Sequence, residues 1–305
     1  MDLSAITFLA QTGGGLADLG NMENYFQYSN IQWESVSHVL TLGVGVFIAA
    51  LVYFLASMKQ VAPRFRLSNM LSAVVMVSAA VILFRQAFDW DSTFRALGNG
   101  MYGRKDGELF SNGYRYMNWS IDVPVLLVQM LIILPLAHKV KTSRGWQFVI
   151  AGLIMIWTSW AAQFYEHGAQ VEGVSVTPFW IWYLLGWLAY IWIVAIVWKT
   201  ISDGKKDPSM SADSKNMLGA IRWVLVGSWT AYAVAIVLPL LWWDAGSGVA
   251  RQFIFTFADI ISKAIYGVML GMVAANRSKQ EDGFLEYPDE QWAIRENAKA
   301  KPAAV

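Results

Sequence analysis

The sequence predicts an all-α membrane protein, a bundle of seven transmembrane helices with its N-terminus extracellular and its C-terminus cytoplasmic. Three observations lead to this prediction. The 305 residues are 56% hydrophobic and only 15% charged, which is far more apolar than a soluble domain of this size. Seven apolar stretches are each long enough to cross the roughly 30 Å of hydrocarbon in a bilayer. Lys and Arg residues are concentrated in alternate loops.

The seven predicted spans leave the two termini on opposite sides of the membrane. The spans cover roughly residues 35–57, 68–90, 115–137, 146–165, 177–198, 218–242 and 250–275. The loops after the first, third and fifth spans, together with the tail, carry most of the Lys and Arg residues, whereas the other side has only Arg95, Arg104 and Lys105. Because basic loops are retained in the cytoplasm, this second side is predicted to be extracellular.

The chain outside the bundle divides into two short pieces. Residues 1–31 are predicted to form an extracellular segment with a short capping helix, because residues 16–28 are amphipathic, although a disordered leader is the alternative. Residues 32–280 form the seven-helix domain and residues 281–305 a cytoplasmic tail. In the long loop of residues 91–113, Gly98, Gly100, Gly103 and Gly107 predict a β-hairpin.

Composition argues against several classes of partner and chemistry. The net charge is +1, and no basic stripe lies outside the cytoplasmic loops, so we expect no nucleic-acid partner. The chain contains no Cys, which excludes disulfides and thiol catalysis. His38, His138 and His167 are far apart in the sequence and lack the spacing of metal ligands.

The last span contains two charged residues one helical turn apart, Asp259 and Lys263. A Lys at the centre of a membrane helix costs about 2.5–3.5 kcal/mol, and Asp259 lies on the same helix face. One interpretation is a structural ion pair that joins two helices. The other is a Lys that holds a cofactor covalently, with a carboxylate as its counter-ion.

The third span has a polar stripe. Arg115, Asn118, Asp122 and Gln129 lie on one face of the predicted helix. Such a stripe in a membrane has to face the bundle interior or a water-filled cavity.

The second span adds further polar residues, namely Asn69, Ser78 and Gln86. Serines in membrane helices often hydrogen-bond only to their own helix backbone, which is the alternative interpretation of Ser78.

Aromatic residues are abundant in the remaining spans. Many of the 16 Trp residues are expected at the two membrane interfaces. Trp119, Trp182 and Trp229, at mid-membrane depth, are instead candidates for the walls of a pocket for a flat apolar ligand. Glu166 and Arg251, at the extracellular ends of the fourth and seventh spans, are expected to meet.

These features resemble the microbial (type 1) rhodopsins. The resemblance covers about residues 32–280 and rests on the seven spans, on Asp259 and Lys263, and on Arg115-Tyr116-x-x-Trp119 in the third span.

Three positions of the third span distinguish subgroups of this family. Here they are Asn118, Asp122 and Gln129, a triplet that resembles the light-driven sodium pumps. Outward proton pumps have carboxylates at the first and usually the third position, and chloride pumps have no Asp at the second.

The resemblance implies a chromophore site. Lys263 would bind all-trans retinal as a protonated Schiff base, Asp122 would be its main counter-ion and proton acceptor, and Asp259 would be a second carboxylate. The residues around the chromophore would be Trp119, Trp182, Trp229, Tyr232 and the colour-tuning Ser262.

The resemblance also implies an ion path, with transient Na⁺ binding near Asn118 and Asp259. Ser78 and Gln129 would form a polar pair on the cytoplasmic side of the retinal. Gln86 is assigned to the same path. The other implied positions are the ion-uptake residues Asn69 and Gly271, the gate Arg115, and a release cluster of Glu23, Glu166 and Arg251.

Two positions depart from the family pattern. Ala233 stands where the family usually has Pro, which predicts a straighter sixth helix and a shifted absorption. Tyr183 follows Trp182 where carotenoid-binding relatives have Gly, so we expect no carotenoid antenna. The family also implies a homopentamer in the plasma membrane.

The resulting hypothesis is a light-driven outward sodium pump, not an enzyme, that exports protons when Na⁺ is absent. A light-driven proton pump or photosensor on the same fold is the main alternative. A seven-helix transporter or receptor that does not respond to light is a further alternative, which an absence of visible absorbance with retinal would favour.

Overall fold

A computed structural model describes residues 21–169 and 174–282. In these residues, seven helices are long and apolar enough to cross a membrane, as predicted. The first six are α1 (Asn30–Ser57), α2 (Pro63–Thr93), α3 (Gly113–Ile133), α4 (His138–Gln163), α5 (Thr177–Gly204) and α6 (Ala212–Leu241). The seventh, α7, runs through Ala245–Asp259, a π-helical turn at Ile260–Ile265, and Tyr266–Asp282.

The helices form a closed bundle. Each packs against its neighbours in the chain, and α7 also packs against α1. Helices α2, α3 and α7 bury the largest share of their surface, whereas α1, α4 and α5 keep much of theirs exposed. The most buried helices therefore carry the polar residues of the interior, and the apolar surface of the others faces outward, where lipid would cover it.

The predicted hairpin is present. Strands β2 (Phe94–Ala96) and β3 (Met101–Arg104) pair antiparallel, and β1 (Tyr28–Ser29) adds a third strand in the order β1-β3-β2. Gly98 and Gly100 between the paired strands have φ angles of 82° and 77°, values that residues with a Cβ rarely adopt. We call the end of the bundle that carries these strands the sheet end, and the opposite end the far end.

The N-terminal segment packs on the sheet end. Its described part begins with the 3₁₀ turn Met22–Tyr25, which continues into β1, and residues 1–20 lie outside the described part of the chain. Ser29 then caps α1, accepting a hydrogen bond from the backbone of Gln32 while the Gln32 side chain accepts one from Ser29. The chain thereby enters the bundle at Asn30, five residues before the predicted start of the span at 35.

Helix α3 ends earlier than predicted. It stops at Ile133, whereas hydropathy extended the span to residue 137. Leu134 is extended, with ψ at 141°, because it precedes Pro135 and the proline ring disfavours helical backbone in the preceding residue.

Candidate functional site

Lys263 lies in the π-helical turn of α7. Its side chain is only 2% exposed. π-helical turns are rare; they occur mostly as single turns inside α-helices and frequently lie at functional sites. The turn and the burial therefore mark this Lys as the centre of the candidate site.

Three oxygen-bearing side chains surround the Nζ of Lys263. It lies 2.7 Å from Asp259 Oδ1 and 3.0 Å from Asp122 Oδ2. It also donates a hydrogen bond to Asn118 Oδ1 over 2.9 Å. The buried ammonium thus has two carboxylates and one amide as partners, which offsets the cost of removing its charge from water.

Asp259 is held from several sides. Its Oδ1 accepts hydrogen bonds from Trp119 Nε1 at 3.0 Å and from the Tyr232 hydroxyl at 2.8 Å, and its Oδ2 forms an ion pair with Arg115 at 3.1 Å. The Tyr232 hydroxyl also lies 3.1 Å from Ser262 Oγ. These contacts fix the position of this carboxylate.

Asp122 has fewer partners. Both its oxygens are buried, and Oδ1 has no hydrogen-bond partner among the described residues. Its only ion-pair partner there is Lys263. A carboxylate with unfilled hydrogen-bond capacity beside an ammonium is well suited to accept a proton from it.

The predicted pairing of Ser78 with Gln129 is wrong. Ser78 Oγ instead accepts a hydrogen bond from Asn118 Nδ2 at 2.5 Å, and Gln129 Nε2 donates to Ser72. Because α2 and α3 run antiparallel, Gln129 meets a residue nearer the start of α2. Ser72 is therefore one of the site residues that sequence reasoning missed.

The predicted ion-uptake residues meet towards the far end. Asn69 Nδ2 donates to the carbonyl and hydroxyl of Ser57 over 3.5 and 3.4 Å. A Cβ added to Gly271 would lie 3.7 Å from Asn69 Oδ1. Gly267 is more constrained, because an added Cβ would lie 2.7 Å from Phe54 Cζ and 3.0 Å from Ser72 Oγ. The glycines let α7 pass close to these polar groups.

The sheet end holds a buried ionic cluster. Arg251 donates to both carboxylate oxygens of Glu23, and its Nη1 lies 2.7 Å from Glu166 Oε2. Gln252 donates from Nε2 to Glu23 Oε1 at 2.6 Å, and its Oε1 accepts from Arg115 Nη2 at 3.2 Å. Gln252 thereby connects the predicted release cluster to Arg115. Glu166 and Arg251 meet as expected.

The two carboxyl groups of this cluster differ in pKa. Burial opposes ionisation of Glu23, but the charge and hydrogen bonds of Arg251 outweigh it, so its pKa lies below the ordinary 4.5. Burial raises the pKa of Glu166, and the nearby charge of Glu23 adds to this effect, so that Arg251 does not bring its pKa down to the ordinary value. Glu166 is therefore the first of the pair to take a proton on acidification.

Gln86 lies apart from the other path residues of α2. It is fully buried, and its Nε2 donates to the Ser111 carbonyl at 2.8 Å. This contact puts Gln86 near the start of α3, towards the sheet end, rather than beside Asn69.

An apolar cavity adjoins Lys263. It lies among α3, α4, α5, α6 and α7, and its lining includes four of the residues expected around a chromophore, namely Trp119, Trp229, Tyr232 and Ser262. Ala233, at the position where the family usually has Pro, also lines it. The lysine amine therefore opens onto a space with aromatic walls.

The prediction for Trp182 is wrong. Trp182 does not line the cavity and is 37% exposed, whereas Trp187 lines it. Five residues of α-helix correspond to about 140° of rotation, so the two rings lie on different faces of α5. The correct face of α5 carries residues at helical spacing that all line the cavity, namely Tyr183, Gly186, Trp187 and Tyr190. This spacing was the signal in the sequence that could have identified that face.

Comparison with known families identifies this architecture. The family model for bacteriorhodopsin-like protein matches residues 34–277. The chain belongs to the bacteriorhodopsin-like family. It is a seven-span plasma membrane protein of the microbial rhodopsins, a family of retinal-binding ion pumps and photoreceptors.

Individual rhodopsins resemble the chain over most of the bundle. The crystal structure of thermophilic rhodopsin is 26% identical, with a TM-score of 0.77, covering 85% of this chain and 99% of that one. Xanthorhodopsin, described as a light-driven ion pump with dual chromophore, is 29% identical, with a TM-score of 0.75, covering 85% and 98%. The green-light absorbing proteorhodopsin of Gamma-proteobacterium EBAC31A08 is 21% identical over 54% of this chain and 62% of its own length. The match thus spans under two thirds of that curated relative.

The cavity fits the retinal that the rhodopsin family binds. A Lys amine can form a covalent bond with a carbonyl group, and Lys263 Nζ lies at the wall of an apolar, aromatic space. The flat rings of Trp119, Trp229 and Trp187 would hold a planar polyene, with Asp122 and Asp259 near the attachment point. Tyr183, at the position where carotenoid-binding relatives have Gly, lines this cavity, and the absence of a carotenoid antenna stays a prediction.

Proposed function

We propose that the protein is a light-driven outward sodium pump that uses all-trans retinal bound at Lys263. The observation that carries this proposal is the hydrogen bond of 2.9 Å between Lys263 Nζ and Asn118 Oδ1. An amide oxygen is a suitable ligand for a hard cation and, unlike a carboxylate, accepts no proton at this position.

Electrostatics explains why the charge at Lys263 has to change during transport. Two unit charges 4 Å apart repel by about 4 kcal/mol at an effective dielectric constant of 20, so a cation cannot pass a charged Nζ. Bound retinal would supply light absorption and a movement at this nitrogen. The proton leaves Nζ for Asp122, whose Oδ2 lies 3.0 Å away. Protonated Asp122 then no longer attracts a cation back.

The residues on either side of Lys263 give the path a direction. Asn69, Gly271, Ser72 and Gln129 receive Na⁺ from the far end, which the positive-inside rule assigns to the cytoplasm. Na⁺ is then bound briefly between the oxygens of Asn118 and Asp259.

Release takes place past Arg115, whose contact with Gln252 joins Asp259 to the cluster of Glu23, Arg251 and Glu166. Ser78 orients the Asn118 amide by accepting a hydrogen bond from its Nδ2.

By the resemblance to the microbial rhodopsins, we propose that the protein forms a homopentamer.

A light-driven proton pump is the second candidate. Its support is that a structural relative, from Leptosphaeria maculans, is described as a light-driven proton pump, and that two carboxylates, Asp122 and Asp259, contact Lys263. A chain of carboxylates can pass protons without any cation site.

Light-induced pH changes distinguish the two candidates. Cells that contain the protein should alkalinise a NaCl medium on illumination, and a protonophore should enhance the signal, because exported Na⁺ draws protons inward. In KCl without Na⁺, weak acidification should appear, which the protonophore abolishes. Asp122→Asn should remove both signals.

The proton-pump candidate predicts a different pattern. Equal acidification in NaCl and KCl, abolished by the protonophore in both, would refute the sodium proposal. Retained transport in Asp122→Asn would refute the role of Asp122 as proton acceptor.

A further inference from the structure

Two basic residues lie where α5 and α6 meet on the outside of the bundle, towards the far end. They are Arg222 of α6 and Lys205, the residue that follows the end of α5 at Gly204. We call them the α5–α6 basic pair. Neither residue belongs to the ion path or lines the cavity at Lys263.

Arg222 stacks on a tryptophan and keeps hydrogen-bond donors free. Its Cζ lies 4.2 Å from the centroid of a Trp198 ring, and its Nη2 donates a hydrogen bond to Ser202 Oγ at 3.0 Å. Its Nε is buried without a hydrogen-bond partner, and its Nη1 reaches the surface without one. Among the described residues, no carboxylate forms an ion pair with Arg222. A permanent cation is therefore held in place with one nitrogen open to a ligand.

Arg222 lies at the depth expected for lipid headgroups. From Arg222, α6 continues for a further 19 residues to Leu241, which corresponds to about 28 Å of helix. This length matches the roughly 30 Å of hydrocarbon in a bilayer. Trp198 and Trp223, whose ring centroids are 5.1 Å apart, lie beside it and are 38% and 64% exposed. Exposed Trp residues at this depth are typical of the membrane interface.

Lys205 supplies a second cation one helical turn from Arg222. A Cβ added to Gly219 would lie 3.4 Å from Lys205 Nζ, and Gly219 precedes Arg222 by three residues, on the same face of α6. Among the described residues, Lys205 also has no ion pair with a carboxylate. The missing side chain at Gly219 therefore leaves room for the Lys205 amine against α6.

Asp203, the carboxylate closest in sequence to Lys205, is already shared by other cations. Its Oδ2 lies 2.5 Å from Arg144 Nη2 and 3.6 Å from Lys199 Nζ, and its Oδ1 lies 2.8 Å from Lys206 Nζ. One negative charge with three cationic partners does not offset the charge of the α5–α6 basic pair.

The two other carboxylates of this segment are also engaged or remote. Asp207 accepts hydrogen bonds from the backbone nitrogen and the hydroxyl of Ser209, within its own loop. Asp213 is exposed and lies nine residues before Arg222, about half a turn away around α6. Residues 199–222 contain five basic and three acidic residues, so the segment keeps a net positive charge.

We propose that an anionic phospholipid binds outside α5 and α6, with its phosphate at Arg222 and Lys205 and an acyl chain against Trp223. A cationic side chain at the edge of the hydrocarbon is costly without a partner, and a phosphate oxygen accepts strong hydrogen bonds from a guanidinium. A free phosphate would leave the exposed tryptophan uncovered, whereas a lipid uses both features. The far end is the side that the positive-inside rule assigns to the cytoplasm, where membranes carry anionic lipids.

Native mass spectrometry of the purified full-length chain tests this proposal. Phosphatidylglycerol and phosphatidylcholine with identical acyl chains are titrated separately, and inorganic phosphate is added as a competitor. We expect tighter binding of phosphatidylglycerol, which millimolar phosphate does not displace. Arg222→Gln should weaken this binding about fivefold, as expected for one basic residue near a membrane surface. Lys205→Gln, which leaves the stacking on Trp198 intact, should cause a similar loss.

Lys59→Gln is the matched control, since Lys59 is exposed in the 3₁₀ turn after α1 and belongs to the same end of the bundle. It removes the same charge as Lys205→Gln and should leave the lipid preference unchanged. Equal binding of the two lipids, or equal losses in Lys59→Gln and Lys205→Gln, would overturn the proposal. An unchanged preference in both Arg222→Gln and Lys205→Gln would do so as well. Displacement by phosphate would also overturn it, because it would indicate a simple anion site.

Discussion

The side-chain oxygen of Asn118 accepts a hydrogen bond from Lys263 Nζ over 2.9 Å, while the Nδ2 of the same amide donates to Ser78 Oγ. Because a Lys ammonium has only donors, this pair of contacts fixes which end of the amide faces the lysine. The oxygen is thus directed at the position where a cation would pass.

Asn118→Asp should impair sodium export by more than about tenfold. The added carboxylate would attract a cation at about 4 Å by roughly 4 kcal/mol at an effective dielectric constant of 20, which slows its release. Light-driven pH changes in NaCl with a protonophore provide the measurement. Asn118→Gln keeps the amide oxygen and should retain more export. Equal export by the two variants would argue against a role for the amide.

Lys263→Ala should produce a folded protein that stays colourless with all-trans retinal, because Lys263 carries the only side-chain amine among the residues that line the cavity. Absorbance spectra after incubation with retinal, together with circular dichroism for folding, test this. Lys279→Ala, on the same helix but beyond the cavity, should become coloured. A visible band with a covalent retinal in Lys263→Ala would show that attachment lies elsewhere.

Trp187→Ala should lower the yield and the thermal stability of the retinal-bound protein, whereas Trp182→Ala should have little effect on either. Truncating a large aromatic residue in a packed interior typically costs about 3–5 kcal/mol, and only Trp187 lines the cavity. The measurements are the yield of pigment and the temperature at which it bleaches. If Trp182→Ala caused the larger loss, the face of α5 described above would be wrong.

The pair of Glu residues at the sheet end predicts opposite pH effects. The folded-state pKa of Glu23 is lowered, so its stabilising contribution is present above pH 4.5. That contribution is lost as the pH falls from 4.5 through the folded-state pKa. The folded-state pKa of Glu166 is raised, so its contribution is present below 4.5 and is lost as the pH rises through the folded pKa. Glu23→Gln should therefore remove the loss of folding stability on acidification. Glu166→Gln should remove the loss of folding stability as the pH is raised.

Unfolding midpoints from circular dichroism at pH 7, 5.5, 4 and 3 would check these signs, because the loss that depends on Glu23 occurs below pH 4.5. Removing one partner from a buried ion pair typically costs about 3–5 kcal/mol. At pH 7 we expect Glu23→Gln to be the more harmful variant, because Glu23 ionises more readily than Glu166. The same pH profile in both variants would contradict the assignment.

The sequence alone determined the class of the protein and most of its polar interior. Long apolar runs have few alternatives to membrane helices, because unpaired backbone groups are too costly in hydrocarbon. For the same reason Lys263, Asp259 and the stripe of α3 had to face inward. The contacts of Arg251 with Glu166 and of Lys263 with Asp259 follow from charge pairing in a medium that does not tolerate isolated charges. The contact of Lys263 with Asp122 was implied by the resemblance to microbial rhodopsins.

The tertiary structure decided which polar residue meets which, and which aromatic face lines the cavity. Ser72 rather than Ser78 meets Gln129, because the pairing depends on how far α2 is shifted along α3, which hydropathy does not encode. Trp187 rather than Trp182 lines the cavity, because both Trp residues are equally apolar and only the rotation of α5 separates them. The π-helical turn at Lys263 arises from backbone geometry, so no local pattern predicts it.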